Sequence, residues 1–119
     1  MLATKQLGAD GEELVAQYLK KQGFVIVAKN YNTRVGEVDI IAQRDEFLVF
    51  VEVKTRRNPG FPIGCVITPS KQKKIIKTAK YFIVTKNVVD KVCRFDVATV
   101  IYGGPKGFEI DYIENAFWG

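Results

Sequence analysis

The chain has 119 residues, 47% of them hydrophobic, and carries 18 Lys and Arg against 13 Asp and Glu, which gives a formal net charge of +5. A chain of this length builds one compact core, so a single domain over 1–119 is expected, and the basic balance favours polyanionic partners such as nucleic acid. Histidine is absent, which excludes hydrolases that depend on a catalytic histidine. Catalysis would have to use carboxylates, Lys, Tyr or a metal ion.

The two cysteines, Cys65 and Cys93, form no C-x-x-C pair. The sequence therefore predicts neither a zinc ribbon nor a redox motif, and both thiols are expected to be buried, reduced and structural. The chain does not open on an apolar signal core, and none of its apolar runs approaches the roughly 18 residues needed to cross a bilayer. A cytoplasmic location without a membrane partner is expected.

A first helix is predicted over 10–22, because Leu14, Tyr18 and neighbouring apolar residues recur at helical spacing and Gly23 follows as a stop signal. A polar bend is expected at 29–32, and a loop rich in Pro and Gly at 57–64. Strands are predicted where short apolar or alternating runs occur, at 24–27, 35–42 and 47–55. The last two are expected to pair as a hairpin.

Pro69-Ser70 precedes a second predicted helix, which Lys71-Gln72 opens and which ends at about Val84; strands follow at 92–102 and 108–113 around a Gly103-Gly104-Pro105 turn. The apolar end Ala116-Phe117-Trp118 either covers the core or joins a subunit interface. This order of elements predicts an α/β or α+β fold, with a central mixed sheet of about five strands flanked by helices.

Acidic residues occur where a buried strand is expected. The run 47–51 is apolar on both faces, which is typical of a strand covered on both sides, and Glu52 and Lys54 continue it. If Asp45-Glu46 is a two-residue turn, Asp39 lies opposite Glu52, and Glu37 lies opposite Lys54. Charges on the solvated side of a hairpin are the general alternative, but they fit a buried strand poorly.

Two facing carboxylates repel each other unless a proton or a cation intervenes. A divalent metal would meet this requirement at Asp39 and Glu52. Hard oxygen ligands without a nearby His or Cys favour Mg²⁺, or Mn²⁺, over zinc. The sequence therefore predicts a magnesium site on one face of the hairpin.

The first helix offers a third acid. Glu12 aligns with Val15 and Leu19 on the core-facing stripe, whereas Glu13 aligns with Lys20 on the solvated side. Glu12 is therefore the preferred functional residue. The alternative is that both glutamates only favour the dipole at the helix N-terminus.

A basic surface is expected beside the acids. The second helix carries lysines along one side, and two arginines leave the strand that carries Glu52, so phosphate contacts and a metal would coincide. A solvated helix face is the alternative. The predicted nucleic-acid-binding residues are Arg56, Arg57, Lys71, Lys73, Lys74 and Lys77.

Several segments, taken in order, resemble the YraN-like family: Gly11-Glu12, the run from Gly36 to Ala42, the run from Phe50 to Arg56, Lys71-Gln72, and Arg94 to Val97. This family belongs to the PD-(D/E)xK, or restriction-endonuclease-like, nuclease superfamily and is similar to archaeal Holliday-junction resolvases of the Hjc type. Val38 stands where the superfamily name places proline. The resemblance implies a Mg²⁺-dependent endonuclease that hydrolyses DNA phosphodiester bonds, with branched or junction DNA as substrate.

The resemblance also implies roles for residues. Asp39 and Glu52 would be metal ligands together with the Val53 carbonyl, Lys54 the catalytic lysine and Glu12 the helix-borne acid. Lys54 is expected to orient water, because neighbouring carboxylates should raise its pKa. Gln72 resembles a helix residue that supports the site in related nucleases, and it is predicted to bind nucleic acid together with the basic residues. Resolvases of similar size imply a homodimer. A nucleic-acid-binding protein that keeps the fold without cutting is the alternative, and the role of Glu37 is open.

Overall fold

The computed structural model describes the backbone of residues 4–56 and 67–118, with side chains from residue 10 onward. Within these ranges, no helix combines the length and apolar character that a membrane span requires. The elements are α1 (Thr4–Lys21), β1 (Val25–Asn32), β2 (Glu37–Arg44), β3 (Phe47–Arg56), α2 (Pro69–Thr85), β4 (Val92–Tyr102) and β5 (Phe108–Phe117). The predicted α+β fold, a central mixed sheet flanked by helices, is confirmed.

The sheet has the order β1-β2-β3-β4-β5. Strands β1, β2 and β3 form an antiparallel meander, β3 and β4 run parallel, and β4 and β5 form an antiparallel hairpin. Parallel neighbours need a crossover connection, and α2 supplies it. The strand that carries Glu52 and Lys54 is therefore the central one.

Strand β3 is buried on both faces. Phe50 packs in a cluster with Phe82 of α2, whereas Val49 and Val51 pack with Leu19 of α1. This arrangement explains the continuous apolar run of β3, since a strand covered on both sides cannot alternate with polar residues. The charged residues that follow lie at the end of a buried strand, as predicted.

The hairpin register agrees with the predicted turn. Gln43 pairs with Leu48, and Asp45 has a φ of 55°, a left-handed conformation that Asp tolerates in turns. The backbone ladder ends at Ile40 and Val51, one step before the predicted pairing of Asp39 with Glu52. Beyond Ile40 and Val51 a side chain of β2 takes the place of a backbone acceptor, since Val53 N–H donates to Asp39 Oδ2 at 2.8 Å.

Strand β1 corrects one prediction. The residues 29–32 were predicted to bend, but they continue the strand and pair with β2, with Lys29 opposite Ile40 and Tyr31 opposite Val38. Between them Asn30 has a φ of 52°, a left-handed conformation that Asn adopts more readily than most residues. Ladder hydrogen bonds to β2 therefore outweigh the polar composition of this segment.

The cysteine prediction is wrong for Cys93, which is exposed near the start of β4. This end of the strand is largely open to solvent, since Val92 beside it is also exposed. Cys65 and the predicted loop at 57–64 lie outside the described residues. Helix α1 begins at Thr4, six residues before the predicted start at Asp10.

A buried carboxylate, Asp96, organises the end of β5. It accepts hydrogen bonds from Arg94 Nε at 3.0 Å, from the Tyr112 hydroxyl at 2.6 Å and from Asn115 N–H at 2.9 Å. The β4–β5 register shifts at this point, so β5 extends beyond its predicted end at residue 113. Phe117 is thereby brought into the core, where its ring stacks on Phe95 with centroids 5.2 Å apart, while Trp118 remains 79% exposed.

Candidate active site

The acidic pair predicted from the sequence is brought together where the fully buried part of β3 ends. Glu52 is 4% exposed and Asp39, on the neighbouring strand β2, is 9% exposed. Burial, a hydrogen bond with Glu52 and the charge of Glu52 raise the pKa of Asp39 from its ordinary 3.8 to about 8. The two carboxyl groups are therefore direct neighbours in a pocket largely removed from water, where two negative charges need a proton or a cation between them.

Lys54 shares a strand face with Glu52, because side chains two residues apart point the same way. Its Nζ lies 3.6 Å from Glu52 Oε2. Burial and the neighbouring ammonium group of Lys71 lower the pKa of Lys54, even though Glu52 acts in the opposite direction. The predicted rise in the pKa of Lys54 is therefore wrong. That prediction included the effect of the carboxylates but not burial or the second lysine.

That second lysine comes from the first turn of α2. The helix begins after Thr68, whose hydroxyl accepts a hydrogen bond from Lys71 N–H at 3.2 Å, as is usual for an N-cap residue. The Lys71 side chain then reaches back to the sheet, with Nζ 2.5 Å from Glu52 Oε2. Burial alone would lower the pKa of Lys71, but the hydrogen bond and charge of Glu52 outweigh it, and the pKa is raised.

Helix α1 supplies the third acid as predicted. Glu12 is half-buried and hydrogen-bonds with the Asn30 side chain, and burial together with the charges of Glu37 and Glu52 raises its pKa. Glu13 is exposed and pairs with Lys29 at 2.7 Å on the outside of the sheet. The distinction between the two glutamates, drawn from helical spacing, is confirmed.

The position of Glu12 depends on close packing at Gly11. A Cβ atom built at Gly11 would overlap Cγ2 of Thr55, and its next nearest neighbour is Val100 Cγ2 at 3.7 Å. Thr55 follows Lys54 on β3. The missing side chain of Gly11 therefore lets α1 lie directly against the strand that carries the site.

Gly11→Ala is expected to destabilise the protein by about 1–3 kcal/mol, because the added methyl forces α1 away from β3. Thr55→Ser removes the overlapping methyl group. In the double variant the free energy of unfolding should return to at least the wild-type value, since alanine also favours a helix over glycine by about 1 kcal/mol. Urea unfolding of the four proteins measures this, and a double variant no more stable than Gly11→Ala would contradict the packing argument.

A groove lies between α2 and the turn that joins β1 to β2. The turn is docked on α2, because a Cβ at Gly36 would lie 3.1 Å from both Lys74 Cβ and Thr78 Oγ1. One end of the groove, of about 630 Å³, is lined by Arg34 and Tyr81, among others. The other end is lined by Glu37, Lys71 and Lys74. A shallow depression connects the two ends and shares lining residues with each of them. We call this surface the α2 groove.

The predicted basic residues fall into three groups. Lys71 contacts Glu52 and Lys74 lines the α2 groove, while Lys73 and Lys77 are exposed on α2. Arg56 is half-buried at the end of β3, and Arg57 lies outside the described residues. Gln72 Nε2 donates to the Ile67 carbonyl at 3.0 Å and so holds the entry to α2.

Three contacts were not predicted from the sequence. They are the pairing of Lys71 with Glu52, the hydrogen bond between Asn30 and Glu12, and the place of Arg34 in the groove. The first depends on where α2 returns to the sheet. The other two depend on how β1 and its turn pack against the helices.

The donor set at the acidic pair fits a magnesium ion. Among the described residues no cluster of three or more His, Cys, Asp or Glu side chains is arranged to hold a metal. Mg²⁺ commonly takes one or two protein carboxylates and keeps several waters, so Asp39 and Glu52 match its usual requirement. In a strand, the N–H and C=O of one residue point to the same side, so the Val53 carbonyl also points toward β2 and Asp39.

Comparison with known proteins places the chain in a family. Residues 11–100 match the model of Uncharacterised protein family UPF0102. The UPF0102 protein of Alkaliphilus metalliredigens is 42% identical over 115 residues, which cover 96% of this chain and 99% of that protein. Those of Dictyoglomus thermophilum and Geobacter sulfurreducens are each 42% identical and cover 95% of this chain, and 98% and 89% of their own lengths.

These names give a family and no activity, so the link to nucleases stays a prediction. The matched segment contains every acid of the candidate site. The predicted family membership is confirmed, and the chain belongs to the UPF0102 family.

Proposed function

We propose that this protein is a Mg²⁺-dependent endonuclease that hydrolyses DNA phosphodiester bonds. The observation that carries the proposal is the pair of buried carboxyl groups, Asp39 and Glu52, with Lys54 of β3 and Lys71 of α2 beside Glu52. Two buried acids this close together need a proton or a cation between them, and a divalent metal is the cation that would bind both. Lys71, which pairs with Glu52, also lines the α2 groove, so the groove and the acidic pair are adjacent.

Asp39, Glu52 and the Val53 carbonyl are the proposed metal ligands. When bound, Mg²⁺ supplies Lewis-acid chemistry, activating water as a nucleophile and offsetting the negative charge that develops on the phosphate. Val53 N–H holds Asp39 in place through its hydrogen bond at 2.8 Å. Glu12, with its raised pKa, borders the pocket from α1 and is positioned to take up or hold a proton there.

Lys54 is the proposed catalytic lysine. Its ammonium group stands beside Glu52, where it can orient an attacking water and donate hydrogen bonds to phosphate oxygens. The lowered pKa of Lys54 also brings proton exchange closer to neutral pH, which general acid and base catalysis requires. Orientation and charge stabilisation remain its main proposed contributions.

The α2 groove is the proposed path of the DNA backbone. Arg34 and Lys74 line it, and cations of this kind bind phosphate without reading sequence. Branched or junction DNA, a homodimer and a cytoplasmic location are part of the proposal, supported by the resemblance to junction resolvases. The two-fold symmetry of a dimer would place two sites on opposite strands.

The test is a cleavage assay with pure full-length protein on linear, forked and four-way-junction DNA, with Mg²⁺, Mn²⁺ or EDTA. Cleavage is expected with either metal and not with EDTA, and it should be fastest on a branched substrate. Asp39→Asn, purified in parallel, controls for contaminating nucleases. DNA binding without metal-dependent cleavage on any substrate would instead support a binding protein that keeps the nuclease fold.

A further inference from the structure

We propose that Lys71 exchanges between two partners: it pairs with Glu52 when the site holds no metal, and it moves to a nucleic-acid phosphate when a divalent metal takes that carboxylate. The inference rests on the proposed function and deepens it. Lys71 would thereby link the binding of metal in the pocket to the binding of DNA.

Lys71 occupies a place that a metal at Glu52 would need. Its Nζ lies 2.5 Å from Glu52 Oε2, and Lys54 Nζ lies 3.6 Å from the same oxygen. An oxygen in so close an ion pair cannot offer the same lone pairs to a metal. A divalent cation beside two ammonium groups would also be strongly repelled in a buried pocket. A metal on Oε2 would therefore compete with both ammonium groups, and the lysine that moves more easily is expected to withdraw.

Lys71 is the lysine that can withdraw. Its side chain is 42% exposed, against 24% for Lys54, and a lysine carries its charge on a long flexible stem. Its backbone stays in place, since the N–H is held by Thr68 at the start of α2. Only the side chain has to move.

The α2 groove offers the second position. Lys71 lines that groove together with Thr68 and Lys74, at the N-terminal end of α2, where the helix dipole favours negative charge. A phosphate in the groove would compete with Glu52 for the Lys71 ammonium, and would hold it once a metal has taken the carboxylate. Metal binding would therefore transfer one positive charge from the carboxylate to the DNA backbone.

Calorimetric titration of the full chain with Mn²⁺ alone tests the first half of the proposal. Lys71→Gln should bind Mn²⁺ about tenfold more tightly than wild type, because it no longer competes for Glu52. Lys71→Arg keeps the charge and should stay within about twofold of wild type. Lys86→Gln removes the same charge from the exposed far end of α2 and should change the affinity by less than about twofold.

Equal or weaker Mn²⁺ affinity in Lys71→Gln, or no Mn²⁺ binding by either protein, would overturn the exchange. Circular dichroism and thermal melting confirm that each variant is folded. Lys71→Met serves as a second uncharged variant should Lys71→Gln fail that check.

Binding of a short fluorescent DNA duplex tests the second half. Ca²⁺ takes the same kind of oxygen ligands, so anisotropy is measured with Ca²⁺ and with EDTA. Lys71→Gln should weaken binding about tenfold with Ca²⁺ and less than about threefold with EDTA, since Lys71 is held by Glu52 in the second case. An equal loss under both conditions would overturn the exchange.

The exchange and the nuclease proposal can fail separately. Tighter Mn²⁺ binding by Lys71→Gln together with no DNA cleavage by wild type would retain the exchange and reject the nuclease. Metal-dependent cleavage by wild type together with unchanged Mn²⁺ affinity in Lys71→Gln would retain the nuclease and reject the exchange.

Discussion

Replacing Asp39 by asparagine is expected to reduce Mg²⁺-dependent DNA cleavage by at least about 10²-fold, because a carboxylate ligand is lost while the shape of the side chain is kept. Asn can still accept the hydrogen bond from Val53 N–H that fixes this residue. The loss should appear on every substrate that wild type cuts. A rate within about threefold of wild type would show that Asp39 is not part of the catalytic site.

The same substitution should stabilise the metal-free protein at alkaline pH. The pKa of Asp39 is raised from 3.8 to about 8 in the folded state, so the folded protein binds more protons than the unfolded chain between these values. The contribution of Asp39 to the free energy of unfolding is fully present below pH 3.8 and is lost as the pH rises through about 8. Asparagine cannot ionise, so the variant does not lose this stability as the pH rises.

Thermal melting in EDTA therefore has a defined outcome. Asp39→Asn should melt close to wild type at about pH 5 and higher than wild type at about pH 9, by about 5 °C. This melt also confirms that the loss of cleavage does not come from unfolding. A lower melting temperature for Asp39→Asn at the alkaline pH would contradict the burial of Asp39 beside Glu52.

Asp96→Ala is expected to have the largest effect on stability, a loss of about 3–5 kcal/mol. Asp96 is fully buried, and its removal leaves the Tyr112 hydroxyl and Asn115 N–H without their acceptor and takes from Arg94 its buried partner. Marginal stabilities of about 5–15 kcal/mol make this a large fraction of the total. Urea unfolding followed by tryptophan fluorescence and circular dichroism measures it.

Glu114→Gln is the matched control for Asp96→Ala. Glu114 also pairs with Arg94, at 3.4 Å, but its side chain is 61% exposed. Its neutralisation should change the free energy of unfolding by less than about 0.5 kcal/mol, since exposed ion pairs contribute little. Similar losses in the two variants would show that Arg94, and not the buried network at Asp96, determines the effect.

The parts of the fold that sequence predicted well are those with strong local signals. The β2–β3 hairpin followed from a two-residue turn at Asp45-Glu46 and from side-chain alternation, and this also placed Asp39 beside Glu52. Strand β1 was predicted too short because its residues 29–32 are polar, and their pairing with β2 is a tertiary effect. The end of β5 was missed for a similar reason, since it depends on the distant Asp96.

Sequence predicted the acidic residues of the candidate site better than the contacts of its lysines. Strand alternation and helical spacing identify Glu12, Asp39 and Glu52, because each periodicity is local. The contact of Lys71 with Glu52 depends on where α2 returns to the sheet, which no local pattern encodes. For the same reason the lowered pKa of Lys54 could not be predicted, as its causes are burial and a lysine from another element.

The central claim is that Asp39 and Glu52 form a binding site for a divalent metal, and calorimetric titration with Mn²⁺ tests it most directly. Wild type is expected to bind Mn²⁺ in a saturable manner, and Asp39→Asn and Glu52→Gln should each weaken that binding at least about tenfold. Wild type without Mn²⁺ binding, or variants that bind as well as wild type, would contradict the account.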